Sequence, residues 1–475
     1  MVNGRALGER VFFQGGVAAN ASVVSAFGEI TRRSITVPPN HDVTGAIGVA
    51  MIAREEMARH PRGNGHSASR FRGFDLSQRR YESSAFECRA CPNLCEVHKV
   101  VIDGESPFFY GARCDKFEEA GRGVFTAWRE IPDLFAERER LLLGEWRDPG
   151  PRPPAAKRAR PRIGILRNLT FFDFFPFWRA YLHTLGCDVV LSTSTNPSIV
   201  TRTQEHAAAE SCFPVKLAWG HFADVIERDV DAVLLASPLS REAPAAGQSH
   251  NHYCPLISAV PHLLLANRPA GAAEVRVVNM TLHLSNARAR LKQLTQLAHQ
   301  LTGAGSKVAR EAIEAGWAAQ RAFQTAVRTR GAEVLAALED DASAAVIVGR
   351  PYTGNDPGAN LDLPYKLRRL GVLPVPMDFL PIESAPVPAL HDDMYWRSGQ
   401  DILRAASIIA GDPRLQAIYL TNFNCGPDAF LITFFREALG AKPFLELEVD
   451  DHTADAGMVT RCEAFFDSLG LRSPA

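Results

Sequence analysis

From Arg162 onward the chain alternates short apolar runs with longer amphipathic stretches, and this alternation restricts its fold more than any other feature. The runs expected to be strands are Ile163–Leu166, Asp188–Leu191, Ala232–Leu235, Ala345–Val348, Leu373–Val375, Ala417–Leu420 and Phe444–Leu447. Each is too continuously apolar to leave one face in water, so the strands belong to parallel sheets covered on both faces by helices. Between Leu282 and Asp341 lies a stretch rich in Ala, Leu, Gln, Arg and Glu, which the pattern reads as two or three helices. It divides the region into a first α/β lobe over 162–305 and a helical segment with a second lobe over 306–475.

The preceding 161 residues are organised differently. Residues 1–60 read as a small β-α-β-α unit: strand Val11–Phe13, a Gly15-Gly16 turn, a helix from Ala18 to Ile30, strand Ser34–Val37 and a helix from Val43. That is too short for a complete nucleotide-binding domain. Residues 61–82, rich in Gly, Ser and Arg, read as a linker. Residues 83–127 hold four cysteines and little apolar content, so a metal is expected to hold them together. Residues 128–161 read as a charged helix and a second linker rich in Pro and Arg.

With 52 basic and 53 acidic residues, the chain has no overall field to attract nucleic acid or an acidic membrane. No apolar run approaches the roughly 20 residues needed to cross a bilayer, and the expected compartment is the cytoplasm. In that reducing setting nine cysteines do not form a disulfide framework, and clustered ones point to metal or redox work.

Two groups of cysteines stand out. Cys88, Cys91 and Cys95, with Cys114 further on, let one loop supply three ligands and a returning turn the fourth. Tetrahedral sulfur suits zinc and iron-sulfur clusters alike, so the spacing leaves both open at this four-cysteine module. Cys212, Cys254 and Cys425 are far apart in sequence, but each lies near an expected strand end with Pro or Gly just after it. Loops at the carboxyl ends of parallel strands converge, so these three thiols could meet in one crevice. The alternative is that each is an ordinary buried cysteine, as Cys187 and Cys462 read within their apolar or helical surroundings.

Weaker features have plainer explanations. Gly15, Gly16 and Asn20 could let a nucleotide approach the backbone, though such a turn is usually only a turn. Gly349-Arg350-Pro351-Tyr352-Thr353-Gly354 follows a strand but lacks the Lys-Ser/Thr pair of a phosphate loop. Asp450, Asp451, His452 and Asp455 open a helix, where acidic residues serve as caps and dipole partners.

Taken together, several stretches resemble the large activase-related proteins associated with 2-hydroxyacyl-CoA dehydratases and benzoyl-CoA reductases. They are FQGGVAAN, VPPNHDVTGAIGVA, CRACPNLCEVHKV, YGARCDKFE, IGILRNLTFFDFFPFW, ESCFPVKLAWGH, HYCP, VGRPYTGNDPGANLDLP, NFNCGPDAF and EVDDHTADAGMVTRCEAFFDSL. The resemblance spans nearly the whole chain. It implies two Rossmann-like or flavodoxin-like lobes, preceded by a small cysteine-rich metal module and a partial actin-like ATPase subdomain. Residues 1–60 then resemble the C-terminal remnant of an ATPase domain of the acetate kinase, sugar kinase and actin type, with Gly15, Gly16 and Asn20 beside the adenosine. On that view ATP binds only with a completing partner, and the chain is not an ATPase on its own.

The resemblance also implies that Cys212, Cys254 and Cys425 hold an iron-sulfur cluster, of the 4Fe-4S kind, with one iron position left open. The expected role is activation of, or low-potential electron transfer to, a dehydratase or reductase of this type. Expected partners are a complete ATPase domain or subunit, a ferredoxin-like electron donor and an acyl-CoA dehydratase or reductase. The alternative is a zinc-stapled, non-catalytic assembly or regulatory module. Catalytic residues are not assigned.

Overall fold

The computed structural model describes residues 8–59, 78–88, 95–105, 107–112, 117, 127–150, 160–207, 210–242, 250–268, 275–340, 342–388, 393–453 and 455–470. The chain divides into two compact units, Met1–Arg80 and Tyr81–Ala475.

In the first unit, strands β1 (Val11–Phe12) and β2 (Ile35–Thr36) pair in parallel around helix α1 (Ala21–Thr31), and α2 (Thr44–Arg59) follows. The β-α-β-α order agrees with the sequence pattern. Asn20 starts α1, its side-chain oxygen accepting the backbone N–H groups of Ser22 and Val23, and Gly15 turns the chain at φ +97°. Among the described residues before Arg80 only Ala18 is fully buried, while Phe12, Val17, Ile30, Val49 and Ile52 are exposed.

The second unit opens with a three-stranded antiparallel sheet, β3 (Tyr81–Glu87), β4 (Glu96–Ile102) and β5 (Phe108–Tyr110), in the order β3-β4-β5. The low apolar content of this stretch did not suggest a sheet. It builds one around Val97 and the rings of Phe86, Phe109 and Phe117. Helix α3 (Leu134–Leu143) then leads toward the lobes, its Asp133 cap accepting from the N–H of Ala136.

Each lobe carries a four-stranded parallel sheet. The first contains β6 (Arg162–Ile165), α4 (Phe171–Thr184), β7 (Asp188–Leu191), α5 (Pro197–His206), α6 (Phe213–Ile226), β8 (Ala232–Ser240), α7 (Pro255–Ala266) and β9 (Arg276–His283). Its strand order is β7-β6-β8-β9. Helices α8 (Ala287–Thr302) and α9 (Ser306–Ala337) account for the long helical stretch between the lobes.

The second lobe contains β10 (Ala344–Val348), α10 (Pro351–Gly354), α11 (Leu363–Arg369), β11 (Leu373–Pro376), α12 (Arg397–Gly411), β12 (Leu415–Asn422), α13 (Gly426–Leu439), β13 (Phe444–Val449) and α14 (Asp455–Ser468). Its order, β11-β10-β12-β13, repeats that of the first. In both, the order reverses between the first and third strands, which opens a crevice at their carboxyl ends.

All seven expected strands are present. The eighth, β9, lies at a sheet edge and buries only alternate residues, Val278, Met280 and Leu282, so it lacks the continuous apolar run of its neighbours. The central strands β10 and β12 are buried along their entire length.

One continuous apolar core joins both lobes through α4, α8 and α9. Helix α9 buries a stripe at helical spacing: Ala309, Ile313, Trp317, Gln320, Phe323, Val327 and Val334. Among the described residues no helix is long and apolar enough to cross a membrane.

Candidate functional site

Cys212, Cys254 and Cys425 occupy equivalent local positions. Each is the N-cap residue of a helix, of α6, α7 and α13 respectively, and each helix has proline at its first or second position. Proline is favoured there because the first turn has no intrahelical use for its N–H and the ring presets the helical φ. None of the three sulfurs accepts a capping hydrogen bond. The helix ends therefore present positive dipole ends and backbone N–H groups toward whatever the thiols face.

The three thiols share one electrostatic neighbourhood. Cys212 lies within electrostatic range of Cys254, Cys425 within range of Cys212, and Tyr352 within range of all three. Arg350 directs Nη1 to Cys425 Sγ at 3.3 Å and to Asp428 Oδ1 at 2.5 Å. Asp428 also accepts from Tyr419 Oη at 3.1 Å and Thr421 Oγ1 at 2.7 Å, so the carboxylate that holds the guanidinium is itself held.

Burial pushes the Cys212 thiol up to about 11 and the Cys425 thiol up to about 12, with Arg350 opposing the shift at both. At neutral pH these thiols are protonated, and any metal bound through them displaces protons. Among the described residues no three His, Cys, Asp or Glu side chains stand close enough together to hold a single metal ion.

Half of the four-cysteine module can be located. Cys88 and Cys95 follow β3 and precede β4, and the Cys88 N–H bonds the Cys95 carbonyl at 2.8 Å, so they face each other across the end of the antiparallel pair. The strand register carries the chain after β5 back along β4, with Gly111 against Glu96. A Cβ on Gly111 would stand 2.5 Å from the Glu96 carbonyl oxygen, so only glycine permits that approach. Cys91 and Cys114 lie outside the described residues.

The remaining sequence candidates have structural duties. The Asn20 side chain caps α1, and Gly15 exchanges contacts with His41: its N–H reaches the His41 carbonyl at 2.6 Å, and its own carbonyl meets His41 Nδ1 at 3.1 Å. Cys187 and Cys462 are buried in the apolar cores. Asp450 closes a turn with His452 and Thr453, whereas Asp451 pairs with Lys216 at 3.0 Å across the lobes.

Sequence reasoning overlooked Arg350, Tyr352 and Asp428 as surroundings of the thiols. The available signal was the Gly-Arg-Pro-Tyr run directly after a strand, since such loops line the crevice of a parallel sheet.

A second buried network joins the lobes beside this crevice. The Arg167 N–H donates to Ser192 Oγ, Ser192 Oγ lies 2.8 Å from His221 Nδ1, His221 Nε2 lies 3.0 Å from Thr195 Oγ1, and Thr195 donates to Asp356 Oδ2 at 2.6 Å. Burial lowers His221 to about 3 and raises Asp356 to about 7. Gly358 lies so close to Thr195 that a Cβ would stand 2.5 Å from its carbonyl oxygen.

Residues 162–380 match the family described as CoA enzyme activase uncharacterised domain (DUF2229). This stretch is a CoA enzyme activase domain. The matched CoA enzyme activase domain contains Cys212, Cys254, Arg350 and Tyr352, while Cys425 and Asp428 come from the remainder of the second lobe.

No curated protein matches the chain. Among solved structures, the SBP FpvC in complex with Ni2+ from P. aeruginosa is 13% identical, with a TM-score of 0.19, covering 66% of this chain and 96% of that one. The C-terminal domain of glucosamine-fructose-6-phosphate aminotransferase from Francisella tularensis is 11% identical, with a TM-score of 0.16, covering 71% and 94%. At these scores neither likeness bears on the fold or the activity.

Proposed function

We propose that this protein, which carries a CoA enzyme activase domain, is an iron-sulfur protein, serving the activation of, or low-potential electron transfer to, a 2-hydroxyacyl-CoA dehydratase or benzoyl-CoA reductase type system. The observation that carries the proposal is that three thiols distant in sequence each start a helix and all lie within electrostatic range of Tyr352, with Arg350 bonded to the sulfur of Cys425. Around a single zinc ion, bonds of about 2.3 Å would draw the sulfurs to within about 4 Å of one another.

The protein's own groups suit a negatively charged sulfur assembly. Arg350 neutralises part of the charge, three helix N-termini favour it, and buried surroundings exclude water. A cluster bound here would supply one-electron chemistry. Cys88, Cys91, Cys95 and Cys114 would form the relay, as iron-sulfur or zinc, and the three thiols the terminus.

The first unit, whose described residues bury little and expose several large apolar side chains, is proposed to complete an ATPase with a partner domain or subunit, bringing Gly15, Gly16 and Asn20 to ATP. A ferredoxin-like donor and an acyl-CoA dehydratase or reductase are the other proposed partners.

The test is anaerobic reconstitution with iron and sulfide, followed by metal analysis and EPR on the full chain and on Cys212→Ser, Cys254→Ser and Cys425→Ser. Each substitution should remove iron and change the EPR signal while the four-cysteine module keeps its metal. Zinc alone, or iron content indifferent to all three substitutions, would sink the proposal in favour of a zinc-stapled module.

A further inference from the structure

Where α4 crosses α9 beside the start of α12, two openings of about 110 and 290 Å3 share Arg241, Gln320, Gln324, Arg328, Glu383 and Arg397. Together they form one cleft of a size that holds small organic ligands.

Three arginines gather at its α12 end. Arg241, Arg397 and Arg404 all pair with Asp401, at 3.3, 3.0 and 3.3 Å, and Arg241 also lies 3.7 Å from Asp173, while the lining carboxylates Asp378 and Glu383 pair with Arg138 and Arg328. Three guanidinium groups thus share two carboxylates, and burial pushes the Asp173 carboxyl up against the opposing charges of Arg241 and Arg138. Arg397 shows the consequence: burial, together with the charges of Arg241 and Arg404, holds it below the ordinary arginine range. Arg397 is also the first residue of α12, whose opening turn has no side-chain cap and whose Arg397 and Ser398 line the cleft. A helix N-terminus and a surplus of guanidinium both favour an anion.

The cleft also contains buried acceptors without a protein partner. Gln320 interrupts the apolar stripe of α9 and is 3% exposed. Its Nε2 donates to the Asp173 carbonyl at 2.7 Å, while its Oε1, like Asp173 Oδ1, has none. A buried polar atom left unpaired is costly, so such atoms in a cleft point to a ligand that donates to them. Apolar side chains also line it, Phe323, Val327, Leu380 and Ile382 in one opening and Phe174 and Trp317 in the other.

We infer that this cleft binds a small organic carboxylate with an apolar body and an N–H or O–H donor beside the carboxylate. Arg241, Arg397 and the first turn of α12 hold the anion, Gln320 Oε1 accepts from the donor, and the Phe323–Trp317 walls take the body. Bare phosphate lacks the body, and a neutral amide lacks the charge. The site borders the thiol triad, since Tyr253 lines it next to Cys254 and Pro351 lines it between Arg350 and Tyr352. The binding does not depend on what the thiols hold.

The experiment is calorimetry on the full chain as purified, with N-acetylphenylalanine, its C-terminal amide, 3-phenylpropionate and inorganic phosphate. N-acetylphenylalanine should bind at least tenfold more tightly than its amide and more tightly than 3-phenylpropionate, with no binding of phosphate in the same range. Gln320→Leu should abolish the preference over 3-phenylpropionate, and Arg241→Gln should weaken both acids at least tenfold. Equal binding of acid and amide, phosphate binding as well as the organic acid, or no binding of N-acetylphenylalanine would each overturn the inference. These comparisons on the unaltered chain stand even if a variant fails to fold.

Discussion

Replacing Arg350 with methionine tests the surroundings of the thiols most directly. The side chain is 5% exposed, and its one carboxylate partner, Asp428, is equally buried. Removing one member of a buried ion pair typically costs about 3–5 kcal/mol, because the other charge stays desolvated without its counter-ion. Asp428 keeps its bonds from Tyr419 and Thr421, at 3.1 and 2.7 Å, which offsets part of the loss and places the expected cost near the low end, about 3 kcal/mol. Asp428→Asn leaves the guanidinium unpaired and should cost a similar amount. The double variant removes both charges and should cost at least about 2 kcal/mol less than the two singles added together. Urea unfolding of the four proteins, followed by tryptophan fluorescence and far-UV circular dichroism, measures the cycle. Additive losses, or an Arg350→Met loss under about 1 kcal/mol, would show that the pair does not organise this crevice.

Other consequences follow from the lobe contacts. Asp356 is raised to about 7 in the folded chain, so the stability it lends is full below its ordinary value of 3.8 and declines as pH rises through 7. His221, lowered from 6.5 to about 3, acts oppositely and costs stability as pH falls below 6.5. Asp356→Asn should therefore expose a steeper acid loss. Its stability relative to the native chain should change by up to about 4 kcal/mol between pH 4 and 8, and parallel pH profiles would refute the assignment. Gly358→Ala must push Thr195 away and should destabilise by about 1–3 kcal/mol, read as a lower urea midpoint; an unchanged midpoint would contradict the close approach. Phe175→Ala, in the centre of the shared core, should cost about 3–5 kcal/mol in the same assay.

The legibility of the fold varied with burial. Central strands such as β10 and β12, covered on both faces, are written as unbroken apolar runs and were readable one by one. Edge strand β9 carries polar residues at alternate positions, and the β3–β5 sheet draws its core from scattered aromatic rings, so neither shows a local signature strong enough to read. The three thiols could be singled out because each is followed closely by proline at an expected helix start. Arg350 could not be assigned to them, since it lies 75 residues before Cys425 and 78 before Asp428 and no local pattern joins them, whereas Asp428, three residues after Cys425, gives no local sign that it holds an arginine from another loop.

By itself the sequence determined the local events: which runs become buried strands, where helices start, and that Cys212, Cys254 and Cys425 sit at such starts. Periodicity and capping act over a few residues and leave a trace in any short window. The tertiary structure alone decided which of these ends meet. It set the thiols within electrostatic range of Tyr352, linked Asp356 to His221 through Thr195, and left Gln320 facing a cleft beside three arginines that share Asp401. Those outcomes depend on strand order and lobe packing, and charge and desolvation act through space rather than along the chain.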